Sequence, residues 1–307
     1  MLDLRQLRTF LVIAECGSFS RAAERLNTAQ PALTRQIRLL EEILETRLFD
    51  RHSRGTDLTE DGSVFLSRAR AIVREAERTL EEFQARAGTV SGPVALAVAP
   101  AITDFLLGGL IGDYRHDYPE VRIEIVEGFT GFIEEWLIAG RIDLALLYDP
   151  RPDPRIRREA LARERLYAVG PAARGFRPDR PVALAALAGD ALIAASRGQR
   201  LRDVTDAAAV QAGIEFVPAV EANSLNVHKA LVRDGGGVTI LPLGAVMAEV
   251  AAGTLTAAPI VEPEIIWQVV LASPAFGRPS LAARALAEAI RKVVAERIAA
   301  SDWPGLA

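Results

Sequence analysis

Gln30, Pro31, Thr34 and Arg35 stand close enough in sequence to share the first turns of one helix. Each type has a use at the edge of a base pair. Arginine bonds guanine through paired hydrogen bonds, glutamine does the same for adenine, and threonine offers a hydroxyl and a methyl group. Arg51-His52-Ser53-Arg54 follows as a compact cationic tip, suited to a DNA backbone or a minor groove. A second group of candidates lies downstream. Pro100-Ala101-Ile102-Thr103, Gly128-Phe129-Thr130, Ala195-Ser196-Arg197-Gly198 and Asn223-Ser224 each close an apolar run just before a helical one. Ligands of open α/β sheets bind beyond the carboxyl ends of strands, and helix N-termini favour anions. Thr130, Ser196, Arg200 and Asn223 are therefore the residues expected to hold a small molecule, with Arg197 and Arg202 as weaker alternatives. Phe129, Phe132, Trp136 and Tyr148 could make such a cleft more apolar, although lone aromatics are more often core.

The elements that must position the first group can be read from apolar spacing. Leu4, Leu7, Phe10, Leu11 and Ala14 recur at helical intervals, and Gly17 ends that helix. Ser18 can cap a second helix with Phe19, Ala22, Ala23 and Leu26 turned inward. Asn27 and Thr28 make a short turn. A third helix starts near Gln30-Pro31, where the missing proline N–H would be unpaired anyway. Its stripe of Leu33, Ile37, Leu40 and Leu44 leaves Gln30, Pro31, Thr34, Arg35 and Arg38 facing outward. Two helices joined by a short turn, the second carrying polar groups outward, form the helix-turn-helix pattern. Leu48–Arg51 and Asp57–Thr59 then read as two short strands around a tight loop.

From Thr59, a plausible cap, one long helix is expected to about Ala87. Leu66, Ala69, Val73, Ala76, Leu80, Phe83 and Ala87 form a narrow seam along it. At 1.5 Å per residue that helix is about 42 Å long. A small domain would struggle to cover such a length, so the seam is expected to pair with a second chain. Beyond Gly92, strand candidates at 94–99, 121–126, 142–148, 166–169, 191–195, 216–220, 238–241 and 265–271 mostly alternate with helical stretches. The helices are placed at 103–117, 130–139, 200–212, 224–234, 243–252 and 280–300. This alternation predicts an α/β fold with mostly parallel sheets, and about 215 residues suggests two sublobes.

Composition narrows the function classes. The 307 residues carry a formal net charge of −4, which excludes a polybasic binder but not a local DNA-reading face. One cysteine, Cys16, excludes a disulfide framework and a cysteine zinc site. The three histidines, His52, His116 and His228, lie far apart, so no metal is expected. No apolar run is long enough for a membrane helix, and the acidic, amphipathic N-terminus does not read as a secretory signal. The cytoplasm is the expected compartment.

The run from Leu4 to Thr59, with its continuation to Gly62, carries FSRAAERLNTAQPALTRQIRLLEEILETRLFDRHSRGTDLTEDG and resembles the winged helix-turn-helix of the LysR-type transcriptional regulators. Its AAERL, QPALTRQI, LEE-x-L, LF-x-R and LTEDG steps occur in that family's order. EGFTGFIEEWLIAGRIDLALLY and ALVRDGGGVTILP are similar to the family's effector-domain signatures. IDLALLYD and SRGQRLRDVTDAA are similar to the branch of nitrogen assimilation control regulators. The resemblance implies an α/β chain with an all-α-rich winged helix-turn-helix domain at 1–60, a dimerising linker helix at 61–90, and a two-lobed effector domain at 91–307. That last domain would be like a periplasmic binding protein. It implies DNA contacts at Thr28, Gln30, Pro31, Ala32, Thr34 and Arg35, and wing contacts at Arg51, Ser53 and Arg54. The implied partners are double-stranded DNA, a small-molecule effector, further copies of the chain as dimer or tetramer, and RNA polymerase, with no membrane and no cofactor. Two departures stand out. Ala29 replaces the serine many members have, removing a helix cap. Pro100 replaces a hydroxyl residue that bonds the effector, which counts against an ordinary carboxylate pocket even though Pro100 belongs to the implied effector site.

Two rival classes would each need features of their own. An enzyme would need a nucleophile elbow, a Walker loop, a zincin motif or a dinucleotide fingerprint, and none is present. Gly235-Gly236-Gly237 reads as a tight lead-in to a strand, and His228 and Lys229 as exposed helix residues. A solute-binding protein would share the two lobes but would need an export signal and would have no use for residues 1–60.

Overall fold

The computed structural model describes residues 2–52, 55–85 and 90–307, with the side chains of residues 78 and 80–85 outside the description. The chain folds into two compact units, one built on the N-terminal residues through the long helix, the other on most of the residues from Val90 onward.

In the N-terminal unit, α1 (Leu4–Cys16), α2 (Phe19–Arg25) and α3 (Gln30–Leu44) pack around a core that includes Leu7, Phe10, Ile13, Ala22, Leu33, Ile37 and Leu40. Gly17, in the left-handed region, ends α1, and the Ser18 side chain caps α2 as expected. Leu4 and Leu26, expected to face inward, are instead exposed. Both sit at helix ends, where the stripe turns off the core. Strands β1 (Phe49–His52) and β2 (Gly55–Leu58) pair antiparallel, forming the wing.

Helix α4 (Glu60–Ala85) starts under a fixed constraint. The Gly62 N–H donates to Thr59 Oγ1 at 2.9 Å, so Thr59 caps it. Leu48 passes so close that a Cβ on Gly62 would lie 2.1 Å from the Leu48 carbonyl oxygen. Only glycine fits there, which accounts for the last residue of LTEDG. The expected seam needs correction. Ala69 and Val73 are buried in the core of their own unit, with Phe65 and Leu66 packed against it. Among the described side chains, the large apolar ones left exposed on this helix are Val64, 63% exposed, and Ile72, 41% exposed. Helix α1 and strand β2 already cover the first half of the seam, with Phe10 of α1 set edge-on against Phe65. Leu80, Phe83 and Ala87 fall outside the described side chains.

The second unit holds a mixed sheet in which β4 (Val121–Glu127), β3 (Gly92–Val98), β5 (Leu144–Tyr148), β12 (Ile266–Pro274), β6 (Ile156–Pro171), β10 (Val238–Pro242), β8 (Leu192–Ala194) and β9 (Pro218–Glu221) lie side by side in that order. Its first lobe contains β3 (Gly92–Val98), α5 (Pro100–Ile102), a π-helical stretch Thr103–Leu107, α6 (Gly108–Asp117), β4 (Val121–Glu127), α7 (Thr130–Ile138) and β5 (Leu144–Tyr148). The second contains β7 (Val182–Ala183), β8 (Leu192–Ala194), α8 (Arg200–Gln211), β9 (Pro218–Glu221), α9 (Leu225–Arg233), β10 (Val238–Pro242), α10 (Met247–Ala251) and β11 (Leu255–Val261). Strand β6 (Ile156–Pro171) joins the lobes. Its first part pairs with β12 (Ile266–Pro274) through Arg165, and its second part pairs with β10 and β11 from Leu166 onward. The C-terminal helix α11 (Leu281–Ala299) covers the first lobe, and Tyr114 on α6 donates to its Ala282 carbonyl at 2.8 Å.

The expectation of mostly parallel pairing fails at the centre. β3, β4 and β5 pair in parallel, as do β8, β9 and β10, but β6 runs antiparallel to β10, β11 and β12. A single strand serving both lobes must return through them, and that produces antiparallel neighbours. The early half of β6 and all of β11 were not expected as strands. REALARER and LTAAPIV are rich in alanine or charge, and the two-residue period is weak in both.

Candidate functional site

The N-terminal unit presents the start of α3 outward. Thr28, Gln30, Pro31, Ala32 and Arg35 are exposed and Thr34 is half-buried, while Leu33 and Ile37 on the other side are buried. The arrangement follows from 3.6-residue periodicity across QPALTRQI. Ala29 gives α3 no side-chain cap, and no acidic residue stands in its first turn. The positive end of the helix dipole is therefore left for an anion. Gln30 accepts a hydrogen bond from the Ser20 hydroxyl at 3.3 Å, tying α3 to α2. Arg38 is already paired with Glu42, whereas Arg35 makes no ion pair among the described residues. In the wing, the Arg51 guanidinium lies 4.0 Å from the Phe19 ring centroid, so a cation–π contact orients it. Ser53 and Arg54 lie outside the described residues.

The second unit has two adjoining cavities. The inner one spans about 440 Å³ with the open solvent at its mouth included, and is lined by Pro100, Phe129, Thr130, Tyr148, Gln199, Arg200, Leu225, Pro242 and Trp267, among others. The outer one, about 1080 Å³ with its open side, shares Pro100, Phe129 and Leu225 and adds Asn223, Lys229, Glu127 and Trp136. The structure thus brings Pro100, Thr130 and Arg200 together in the inner cavity, and Asn223 beside it in the outer one. Ser196 lines neither. Its N–H donates to Asn223 Oδ1 at 3.0 Å, so it holds Asn223 in place.

The polar groups expected to be free are mostly engaged. The Thr130 hydroxyl donates to the Tyr148 carbonyl at 3.0 Å. Arg200 donates from Nε to the Asp149 carbonyl at 2.7 Å and from Nη1 to Asp203 at 3.1 Å. Arg151 reaches the same Asp203 at 2.8 Å and the Gly198 carbonyl at 3.2 Å. Arg151 and Asp149 follow β5 in the first lobe, and Gly198, Arg200 and Asp203 belong to the second, so both arginines tie the lobes together. Burial pushes the Asp149 and Glu134 carboxyls above the usual range. Arg202 is no ligand group. It is buried and bound to Asp206 and Glu221. Arg197 is exposed and lines neither cavity.

Other expectations also change. Phe129 and Tyr148 line the inner cavity, and Phe132 and Trp136 the outer, so these aromatics wall the cleft rather than only filling a core. His228 is not exposed. Its Nδ1 meets the Thr239 hydroxyl at 2.8 Å and its Nε2 the Ala222 carbonyl at 2.9 Å, and burial lowers its pKa. Lys229 pairs with Glu249 at 2.7 Å. The glycine run does lead tightly into β10, since a Cβ on Gly237 would lie 1.9 Å from the Ala191 carbonyl oxygen. The residues missed outright are Gln199 and Trp267. Gln199 stands one position before a helix already singled out, but Trp267 lies in a strand with no local mark. Both carry a buried polar atom without a hydrogen-bond partner, Gln199 Oε1 and Trp267 Nε1. Leaving such an atom unpaired costs about 1–3 kcal/mol.

Comparison with known proteins matches residues 4–63 to the bacterial regulatory helix-turn-helix protein, lysR family, and residues 87–295 to the LysR substrate binding domain. The chain belongs to the LysR family. It is thus a DNA-binding transcriptional regulator with an effector-binding domain. Among its relatives, the HTH-type transcriptional regulator BbuR of Bordetella bronchiseptica is 30% identical, over 99% of this chain and 94% of that one. The nitrogen assimilation regulatory protein nac of Klebsiella aerogenes is also 30% identical, over 95% of each. Equal identity to both makes the family, and not the nitrogen branch, what the likeness carries. Full-length CbnR, solved in complex with its target DNA, superposes with a TM-score of 0.67 at 26% identity, covering 95% of this chain and 100% of that one. Among the described residues, no helix of this LysR regulator is long and apolar enough to cross a membrane, and no cluster could hold a metal ion.

Proposed function

We propose that this regulator reads operator DNA with the start of α3 in a major groove. Thr28, Gln30, Pro31, Ala32, Thr34 and Arg35 contact bases and the adjoining phosphates, and Arg51, Ser53 and Arg54 hold the flanking backbone. The observation that carries this reading is the outward, uncapped start of α3, with Arg35 unpaired among the described residues and no acidic neighbour in the first turn. The effector is a small molecule held in the cleft of the second unit, with Pro100, Thr130 and Arg200 around it, Asn223 at its mouth and Ser196 acting through Asn223. A ligand that favours one arrangement of the lobes shifts the regulator only by its differential affinity. Both arginine ties between the lobes are elements such a ligand would bias.

Two chains associate through the exposed side of α4, where Val64 and Ile72 stand free of their own core. The dimer, or a tetramer built from it, places two recognition helices on successive grooves about 34 Å apart. RNA polymerase is a further partner at promoters. The protein works in the cytoplasm and catalyses no reaction. The decisive experiment is footprinting on the promoter beside its own gene, with and without candidate metabolites. Protection of a partly palindromic site that changes with one metabolite is the expected result. No protection of any such site would overturn the reading.

A further inference from the structure

The inner cavity is unusual in which of its polar groups are taken and which are left. Among its lining residues, Arg200 is the cation, and two of its nitrogens are committed to the Asp149 carbonyl and Asp203. Asp203 balances that charge and is shared with Arg151. The Thr130 hydroxyl is spent on Tyr148, and Pro100, the first residue of α5, has no N–H to give. Buried without a partner are the Trp267 Nε1 donor and the Gln199 Oε1 acceptor, in residues 6% and 7% exposed. The Gln199 amide lies over Gly131, whose lack of a side chain leaves room for it; a Cβ there would sit 3.2 Å from Gln199 Oε1. The rest of the wall is carbon: Phe129, Leu225, Leu241 and the Tyr148 ring, which stacks on Trp267 at 4.0 Å and 14°.

We infer that this cavity takes an uncharged, planar molecule carrying a hydrogen-bond acceptor next to a donor, as an aromatic amide or a fused-ring lactam does, and not a carboxylate. The inference rests on the reading of the cleft as the effector site. The ligand's carbonyl accepts from Trp267 Nε1, its N–H donates to Gln199 Oε1, and its ring lies against the aromatic wall. A carboxylate would leave water for a largely carbon-lined space whose cation already has Asp203 as counterion, and the guanidinium N–H groups left over offset that desolvation only in part. It would also have no proton to offer Gln199 Oε1, which would stay unpaired.

The test is calorimetric titration of the full-length protein with benzamide and 2-quinolone, against benzoate as the charged match of benzamide. Saturable binding of a neutral probe, tighter than benzoate, is expected. Trp267→Phe and Gln199→Leu should each weaken it about five- to tenfold, the worth of one hydrogen bond. Circular dichroism of both variants checks that they fold, and because each removes a different group, one folded variant suffices. Tighter binding of benzoate overturns the inferred class while leaving the cleft as effector site. Failure of both neutral probes to bind overturns it too, as does binding indifferent to the variants. The cleft reading falls separately, and the inference with it, if Thr130→Ala and Arg200→Ala regulators respond in the footprint like the parent.

Discussion

The Trp303 indole N–H donates to Glu164 Oε1 at 2.6 Å, and that carboxyl is 1% exposed at the point where β6 passes between the lobes. The Tyr148 hydroxyl donates to its other oxygen at 3.0 Å. Burial pushes the Glu164 carboxyl from 4.5 up to about 7, against the two hydrogen bonds that lower it. A carboxyl with a raised folded pKa binds its proton more readily when folded. Its contribution is therefore fully present below about pH 4.5 and is lost as pH rises to about 7, by roughly 3 kcal/mol. Glu164→Gln removes the titration and keeps an acceptor for Trp303. Denaturant unfolding across that window should show the parent losing stability with a slope the variant lacks.

Arg35→Ala should cost about 1–3 kcal/mol per half-site and relax the base preference, because Arg35 is exposed on the outward face of α3 with no ion pair among the described residues, whereas Arg38 is paired with Glu42. Arg51→Ala should weaken all sequences alike and reduce the salt slope by about one, as loss of a phosphate contact does. Gel shifts over a salt series separate the two patterns. Unchanged specificity in the Arg35 variant would remove α3 from the major groove.

Ile72 and Val73 are neighbours with opposite duties, one 41% exposed and the other 6%. Ile72→Glu should give monomers in sedimentation velocity with the fold intact, and operator affinity should fall with them. Val73→Ala should leave the assembly whole and lower stability by about 2 kcal/mol, the scale of two lost buried methyls. Dimers that survive Ile72→Glu would place the interface elsewhere.

Thr130→Ala removes the bond to the Tyr148 carbonyl and leaves that buried oxygen without its hydroxyl donor. The response to effector should weaken, along with a stability loss of about 1–3 kcal/mol. Thr130→Ser keeps the hydroxyl and should restore both. Basal operator affinity should barely change in either, since the DNA-reading helix belongs to the other compact unit. A footprint titrated with effector reads the response and the operator affinity, and denaturant unfolding reads the stability.

Gly62→Ala tests the start of α4. The added methyl would lie 2.1 Å from the Leu48 carbonyl oxygen, so backbone must shift. A loss of about 1–3 kcal/mol is expected in denaturant unfolding. A neutral substitution would mean that Leu48 and α4 do not approach so closely.

Much of the DNA-reading unit was determined by sequence alone. Its helices are short and local, and 3.6-residue spacing with the Gly17 stop, the Ser18 cap and Pro31 places Gln30, Thr34 and Arg35 on one outward side before any long-range contact is known. The alternation of strands and helices after Gly92 likewise gave the α/β class and most element positions. Strand direction could not be read, because β6 pairs with strands about a hundred residues away and its alanines and charges carry little period of their own. The seam on α4 was visible as periodicity, but periodicity does not say what a face packs against. Only the tertiary structure shows Ala69 and Val73 spent on their own core. The same holds in the cleft. Thr130 and Arg200 were legible as strand-end and helix-start residues, yet whether a hydroxyl or guanidinium is free depends on carbonyls the fold brings to it. Trp267 is distant in sequence from every other polar group of the cavity, so its unpaired N–H exists as a feature only once the fold gathers those residues around one cavity.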